Sequence, residues 1–158
     1  MKNIFKVLLV AAIPAIMVAC EDETKVCDQT LRTDTRVHFK YDSADVVRDT
    51  IMPKVTLFAL GKDSLYKKQP LGDLFLPLSQ TEDESRFYLK VDSALVADTL
   101  TFRYKRTPHF ISAGCGFSTF FTIDTVLTTQ HTVDSLKINQ KEVTTSNDTH
   151  ITLHFNFE

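Results

Sequence analysis

The sequence has no tryptophan, four glycines and three cysteines. Without tryptophan, the flat platform on which many proteins stack a sugar ring is missing. Glycine occurs only at positions 61, 72, 114 and 116, so no Gly-x-Ser-x-Gly nucleophile elbow exists, and Gly114-Cys115-Gly116 does not replace one. There is no basic excess. Taking away Lys2 and Lys6 with residues 1–19 leaves 16 basic against 20 acidic residues, a formal −4. That balance speaks against nucleic acid, whose backbone calls for a basic patch. The apolar run from Val7 to Ala19 falls short of the ~20 residues a helix needs to cross a bilayer, and Pro14 interrupts it. No window repeats its apolar residues at the three-and-four spacing of a helix.

What is present begins at the first residues. Lys2 and Lys6 followed by a short apolar stretch read as a removable signal peptide over residues 1–19. The run ends in Met17-Val18-Ala19-Cys20, which resembles the bacterial lipobox. The resemblance implies cleavage before Cys20, a diacylglyceryl thioether on its sulfur and acylation of the new amine. Several acyl chains anchor stably where one is marginal. Glu21-Asp22-Glu23 follows, a solvated tether over residues 20–26 that also resembles a surface-export signal of Bacteroidetes lipoproteins. Both the periplasmic and the cell-surface face of the outer membrane are compatible with it.

Two cysteines remain, Cys27 and Cys115. Export puts them where an even pair is expected to bridge. Cys27 lies only seven positions after Cys20, a reach of about 25 Å. A bridge would therefore hold the domain close to its membrane.

From residue 27 to 158 the apolar residues alternate, the mark of half-buried strands. Val37, Phe39 and Tyr41 share one face, as do Val55, Leu57 and Ala59, then Phe87, Leu89 and Val91. Leu100, Phe102 and Tyr104 alternate, Phe117, Phe121 and Ile123 line up, Leu136 and Ile138 make a short strand, and Ile151, Leu153, Phe155 and Phe157 close the chain. One domain of about seven to nine strands is expected, an antiparallel β-sandwich of immunoglobulin-like or similar form; a small barrel is the alternative. Pro70, Pro77 and Pro108 belong at edges or loops, and the polar stretch 80–85 reads as a hairpin loop.

Aspartate followed by serine or threonine recurs. Such pairs favour turns and strand entries, because both side chains bond nearby backbone. Seven of the pairs are followed by a small or aliphatic residue, with hydroxyls at Ser43, Thr50, Ser64, Ser93, Thr99, Thr125 and Ser135. These triplets resemble the acceptor for O-glycosylation of exported Bacteroidetes proteins.

Candidate chemistry is thin. His150 and His154 fall opposite the apolar set of the last strand and are expected on its solvated face. Four residues along a strand is about 13 Å, too far to share a metal. Glu82-Asp83-Glu84 resembles no calcium loop. Tyr88, Tyr104, Phe110 and Phe117 suit either a stacking surface or the core. Arg103-Tyr104-Lys105-Arg106 is a local basic cluster.

Several short stretches carry a wider resemblance: Asp63-Ser64-Leu65-Tyr66, Leu74-Phe75-Leu76-Pro77-Leu78, Leu100-Thr101-Phe102-Arg103-Tyr104, Pro108-His109-Phe110-Ile111-Ser112, Gly114-Cys115-Gly116-Phe117 and Asp134-Ser135-Leu136-Lys137-Ile138. With the lipobox and Cys27 before them, they resemble an uncharacterised family of small outer-membrane lipoproteins of Bacteroidetes. The resemblance covers nearly all of the mature chain. It implies lipidation and the two cysteines, and it supplies no activity. The expectation is a non-enzymatic envelope lipoprotein without cofactor, catalytic residues or metal ligands. It would be held in the outer membrane by Cys20, contacting an envelope protein and no nucleic acid. A stand-alone module binding a sugar, peptide or lipid is the rival.

Overall fold

The computed structural model describes Cys27 and residues 32–43, 46–92 and 95–157. The signal segment 1–19, Cys20, the acidic tether and Ser93 lie outside these residues. The described residues form 11 strands and no helix: β1 (Asp34–Ser43), β2 (Val46–Asp49), β3 (Met52–Ala59), β4 (Ser64–Leu71), β5 (Asp73–Pro77), β6 (Glu84–Lys90), β7 (Asp98–Ser112), β8 (Gly116–Thr128), β9 (Ser135–Ile138), β10 (Glu142–Val143) and β11 (Thr149–Phe155). Two compact units are distinguished. The larger comprises Thr30–His109 and Ser118–Glu158, and Cys27 with Phe110–Phe117 belongs to the smaller.

The larger unit is a two-sheet sandwich. One sheet runs β2-β1-β11-β9, with β5 also on β1, and the other runs β10-β8-β7-β6-β3-β4. Val37, Phe39, Leu74, Leu76, Ile151, Leu153 and Phe155 face the core from the first sheet. Val55, Leu57, Phe87, Leu89, Leu100, Phe102, Phe121 and Ile123 face it from the second. Edge-to-face ring pairs lock it at Phe39–Phe155, Phe87–Phe102 and Tyr104–Phe121, with centroids 5.3–5.8 Å apart.

β1 organises the first sheet because its two edges are used differently. One edge pairs in parallel with β11 over Arg36–Tyr41. The other is shared, by β5 over Asp34–His38 and by β2 over Lys40–Ser43, both antiparallel. Phe39 lies at the junction, where its N–H donates to Gly72 O (3.0 Å) and its carbonyl accepts from Thr50 N–H (3.2 Å). Thr50 and Gly72 are where the chain crosses between sheets, from β2 to β3 and from β4 to β5. A Cβ on Gly72 would lie 3.2 Å from the Thr50 carbonyl oxygen. The close passage of the two crossings leaves a side chain there in tight contact with backbone.

Three features differ from the sequence expectation. The sandwich is not wholly antiparallel, since β1 and β11 run parallel. The first and last strands share no turn, so local sequence carries no signal of their relative direction. Eleven strands exceed seven to nine because β2 and β4 are exposed along most of their length and β10 has only two residues. Such strands show no alternation. Finally, the stretch 80–85 is no hairpin loop: it carries the chain from β5 in one sheet to β6 in the other.

In the smaller unit, Cys27 and Cys115 form a disulfide with Cα atoms 4.8 Å apart. The Phe110 and Phe117 rings meet at 5.3 Å. Cys115 N–H donates to Ser112 Oγ at 3.1 Å, closing the turn, and Gly116 takes a φ of 70° that suits glycine.

Candidate functional site

The crossing from β5 to β6 builds one wall of an open groove of about 1140 Å³; β6 and β7 supply much of the rest. Tyr104 fixes that wall. Its ring is buried, and its hydroxyl accepts from Ser79 N–H (2.8 Å), lies 2.6 Å from Ser85 Oγ and donates to Ser79 O (3.2 Å). Burial pushes the Tyr104 phenol above its ordinary pKa, so it stays protonated. Around it five of the charges are already paired. Glu84 accepts from Arg103 Nε (2.9 Å) and Arg86 Nε (2.7 Å), which hold its carboxyl below the usual range. Arg106 spans Asp83 (2.7 Å) and Gln80 O (2.8 Å). Lys62, Lys105 and Glu82 line the groove as well. Ser79 and Ser85 line it beside these charges, and no histidine is among its lining residues. The surface can offer paired charges and hydroxyls to a polar partner.

A second polar arrangement sits on β1. His38 Nδ1 lies 2.9 Å from Asp73 and its Nε2 lies 3.0 Å from Asp49, while Arg36 Nε also reaches Asp73 at 3.1 Å. Burial opposes the charged imidazole, but the two carboxylates win and His38 is raised above its ordinary pKa. His154 Nδ1 lies 2.9 Å from Asp42 on the neighbouring strand. Among the described residues no three His, Cys, Asp or Glu converge as a metal site.

Two buried polar groups are structural, and sequence reasoning missed both. Asp98, 2% exposed, accepts from the consecutive N–H groups of His131 (2.7 Å), Thr132 (2.8 Å) and Val133 (2.9 Å) and from Thr129 Oγ1 (2.8 Å). Burial alone would raise its pKa, but these donors outweigh it and hold the carboxyl low. Gln130 adopts a left-handed φ of 54°, which turns the chain onto the carboxylate. His150 is fully buried rather than on a solvated face. Pairing with β1 jumps from Thr149 to Ile151, so His150 is a bulge residue. Its Nδ1 accepts from Arg36 N–H at 3.0 Å, which makes it the neutral tautomer with the proton on Nε2. That buried Nε2 lacks a hydrogen-bond partner within range. Burial lowers the His150 pKa.

The hydroxyls of the Asp-Ser/Thr triplets are scattered. Ser43, Ser64, Thr125 and Ser135 are exposed, whereas Thr50 and Thr99 are half-buried. Several of the aspartates have structural partners: Asp42 with His154, Asp49 with His38, and Asp98 as above. Tyr104 belongs to the core, and Phe110 and Phe117 are exposed. Of the basic cluster, Arg103 and Arg106 are ion-paired within the groove.

A family model matches residues 54–155, from within β3 to the end of β11, and is described as a family of unknown function, DUF6452. The chain belongs to this family. The matched span includes the groove, Asp98, His150 and Cys115, whereas Cys27 and β1 precede it. No curated protein and no solved structure matches the chain. DUF6452 membership thus agrees with an uncharacterised all-β domain and brings no activity with it.

Proposed function

We propose that this DUF6452 chain is a non-enzymatic lipoprotein of the cell envelope, of the Bacteroidetes type. Residues 1–19 are its signal peptide, Cys20 carries its outer-membrane lipid anchor, and its domain contacts another envelope protein. The observation that carries the interaction reading is the groove beside Tyr104. It is open and polar, and Asp83, Glu84, Arg86, Arg103 and Arg106 along it are already ion-paired. Such a surface suits a polar, extended contact with a protein better than an enclosed apolar ligand site. The lipobox-like Met17–Cys20 and the acidic Glu21-Asp22-Glu23 support the anchor. The exposed hydroxyls of Ser43, Ser64, Thr125 and Ser135 are the ones open to O-glycosylation; Thr50 and Thr99 are less accessible.

A photo-cross-linking residue placed at Lys105 in native membranes tests the interaction. One dominant protein adduct, not given by the same probe at the exposed Lys137 of β9, is the expected result. Equal adducts or none at both positions would contradict it and favour a stand-alone module for a small ligand.

A further inference from the structure

We propose that Phe110–Phe117, where β7 turns into β8, is a membrane-dipping tip. It would insert Phe110 and Phe117 into the interfacial layer of the membrane that carries the lipid on Cys20. The inference rests on the lipoprotein reading above and adds a second, protein-borne contact with the bilayer.

Four observations converge. Phe110 is 55% and Phe117 70% exposed, and their rings meet across the turn at 5.3 Å. They form one exposed apolar pair rather than two isolated residues. No Lys, Arg, Asp or Glu occurs between Arg106 and Asp124, so no formal acid or permanent cation must be desolvated there. The Cys115 amide is satisfied by Ser112 Oγ within the turn, which lowers the cost of moving it into a drier layer. Finally, Cys115 is bonded to Cys27, and the seven residues back to Cys20 reach about 25 Å at most.

The tether decides which occupant fits. A lipid surface within that reach meets the tip at high effective concentration, so a small apolar area suffices. Two phenyl rings reaching ~5–10 Å into the headgroup boundary match the depth of interfacial binding. A protein contact at the same place would need no particular distance from Cys20.

The absence of tryptophan supplies the test. Full-length lipoprotein carrying Phe117→Trp, and separately Phe110→Trp, is reconstituted into phosphatidylethanolamine–phosphatidylglycerol vesicles with or without bromine on the acyl chains. Val96→Trp, at a position 63% exposed in the larger unit, serves as the reference. Blue-shifted emission that is quenched by the brominated lipid at 117 and 110, but not at 96, is the expected result. Unquenched emission at both tip positions, or quenching equal to that at 96, overturns the proposal. Intact mass of the same preparation reads the lipid on Cys20 independently. Lipid present with an unquenched tip rejects the tip alone, and a quenched tip on an unlipidated chain rejects the anchor alone.

Discussion

Replacing Asp98 with alanine removes the acceptor that gathers three consecutive amides of the β8–β9 connection. Three consecutive amides, those of His131, Thr132 and Val133, lose their partner together with the Thr129 hydroxyl. Each amide left unsatisfied in a buried place costs about 1–3 kcal/mol, and partial access of water relieves some of it, so the expected loss is about 3–5 kcal/mol. Asp98→Asn keeps the volume and one acceptor oxygen but turns an NH2 toward donors, so it should cost less than alanine, about 2 kcal/mol. Urea unfolding at neutral pH, followed by circular dichroism, measures both, with an unchanged slope showing that only stability has moved. The acid limb adds a signed test. The folded pKa of Asp98 is depressed, so its contribution is complete above the ordinary aspartate value of about 3.9 and fades as pH falls through the lower folded value. The difference between the native chain and Asp98→Asn should therefore shrink in strong acid. An asparagine variant within about 0.5 kcal/mol of the native chain at neutral pH would refute the reasoning, because a charged acceptor for these amides would then be dispensable.

Other perturbations probe the rest of the frame. His150 has a depressed pKa, so the stability it supports is complete above about 6.5 and falls as pH drops below that. His150→Asn, which keeps an acceptor near Arg36 N–H, should flatten this fall, and an unchanged pH profile would contradict the buried neutral imidazole. Cys27→Ser and Cys115→Ser should each lose a similar amount, at most about 4–5 kcal/mol for a loop of this length. The double variant should lose no more, whereas additive losses in denaturant melts would show that the pair does not act as one bond. Gly72→Ala should cost about 1–3 kcal/mol through overpacking against the Thr50 carbonyl; a thermal midpoint equal to the native one would mean the two sheet crossings yield easily.

How far the fold could be read beforehand depended on how each strand is buried. β6 and the first half of β7 alternate cleanly, and Phe87, Leu89, Leu100, Phe102 and Tyr104 all reached the core as their spacing required. β4 could not be read this way. It is the edge of its sheet, carries Lys67, Lys68 and Pro70, and is exposed along most of its length. β11 misled in the opposite sense. Its alternation marked Ile151, Leu153 and Phe155 correctly, but its other face is covered too, so Thr152 is buried, and His150 is buried at the bulge. Phe117 continued the pattern of Phe121 and Ile123 in sequence yet is exposed; it lies at the start of β8, in the smaller unit. The groove was only partly legible. Arg103 and Arg106 stood out as a basic cluster and Glu82-Asp83-Glu84 as an acidic one. That they neutralise each other follows from β6–β7 pairing, which sets Glu84 opposite Arg103. The Asp98 site had a faint signal in its Asp-Thr pair, but the amides it binds lie more than thirty residues further on.

The lipid anchor on Cys20 is the claim on which placement, partner and membrane tip all depend. Its most direct test is the intact mass of the chain extracted from membranes, set beside the fractionation of a Cys20→Ser variant. The account predicts a chain that begins at Cys20, carries the mass of a diacylglyceryl group plus an acyl chain, and leaves the membrane fraction when that cysteine is replaced. A chain of unmodified mass, with the variant distributed like the native protein, would contradict it.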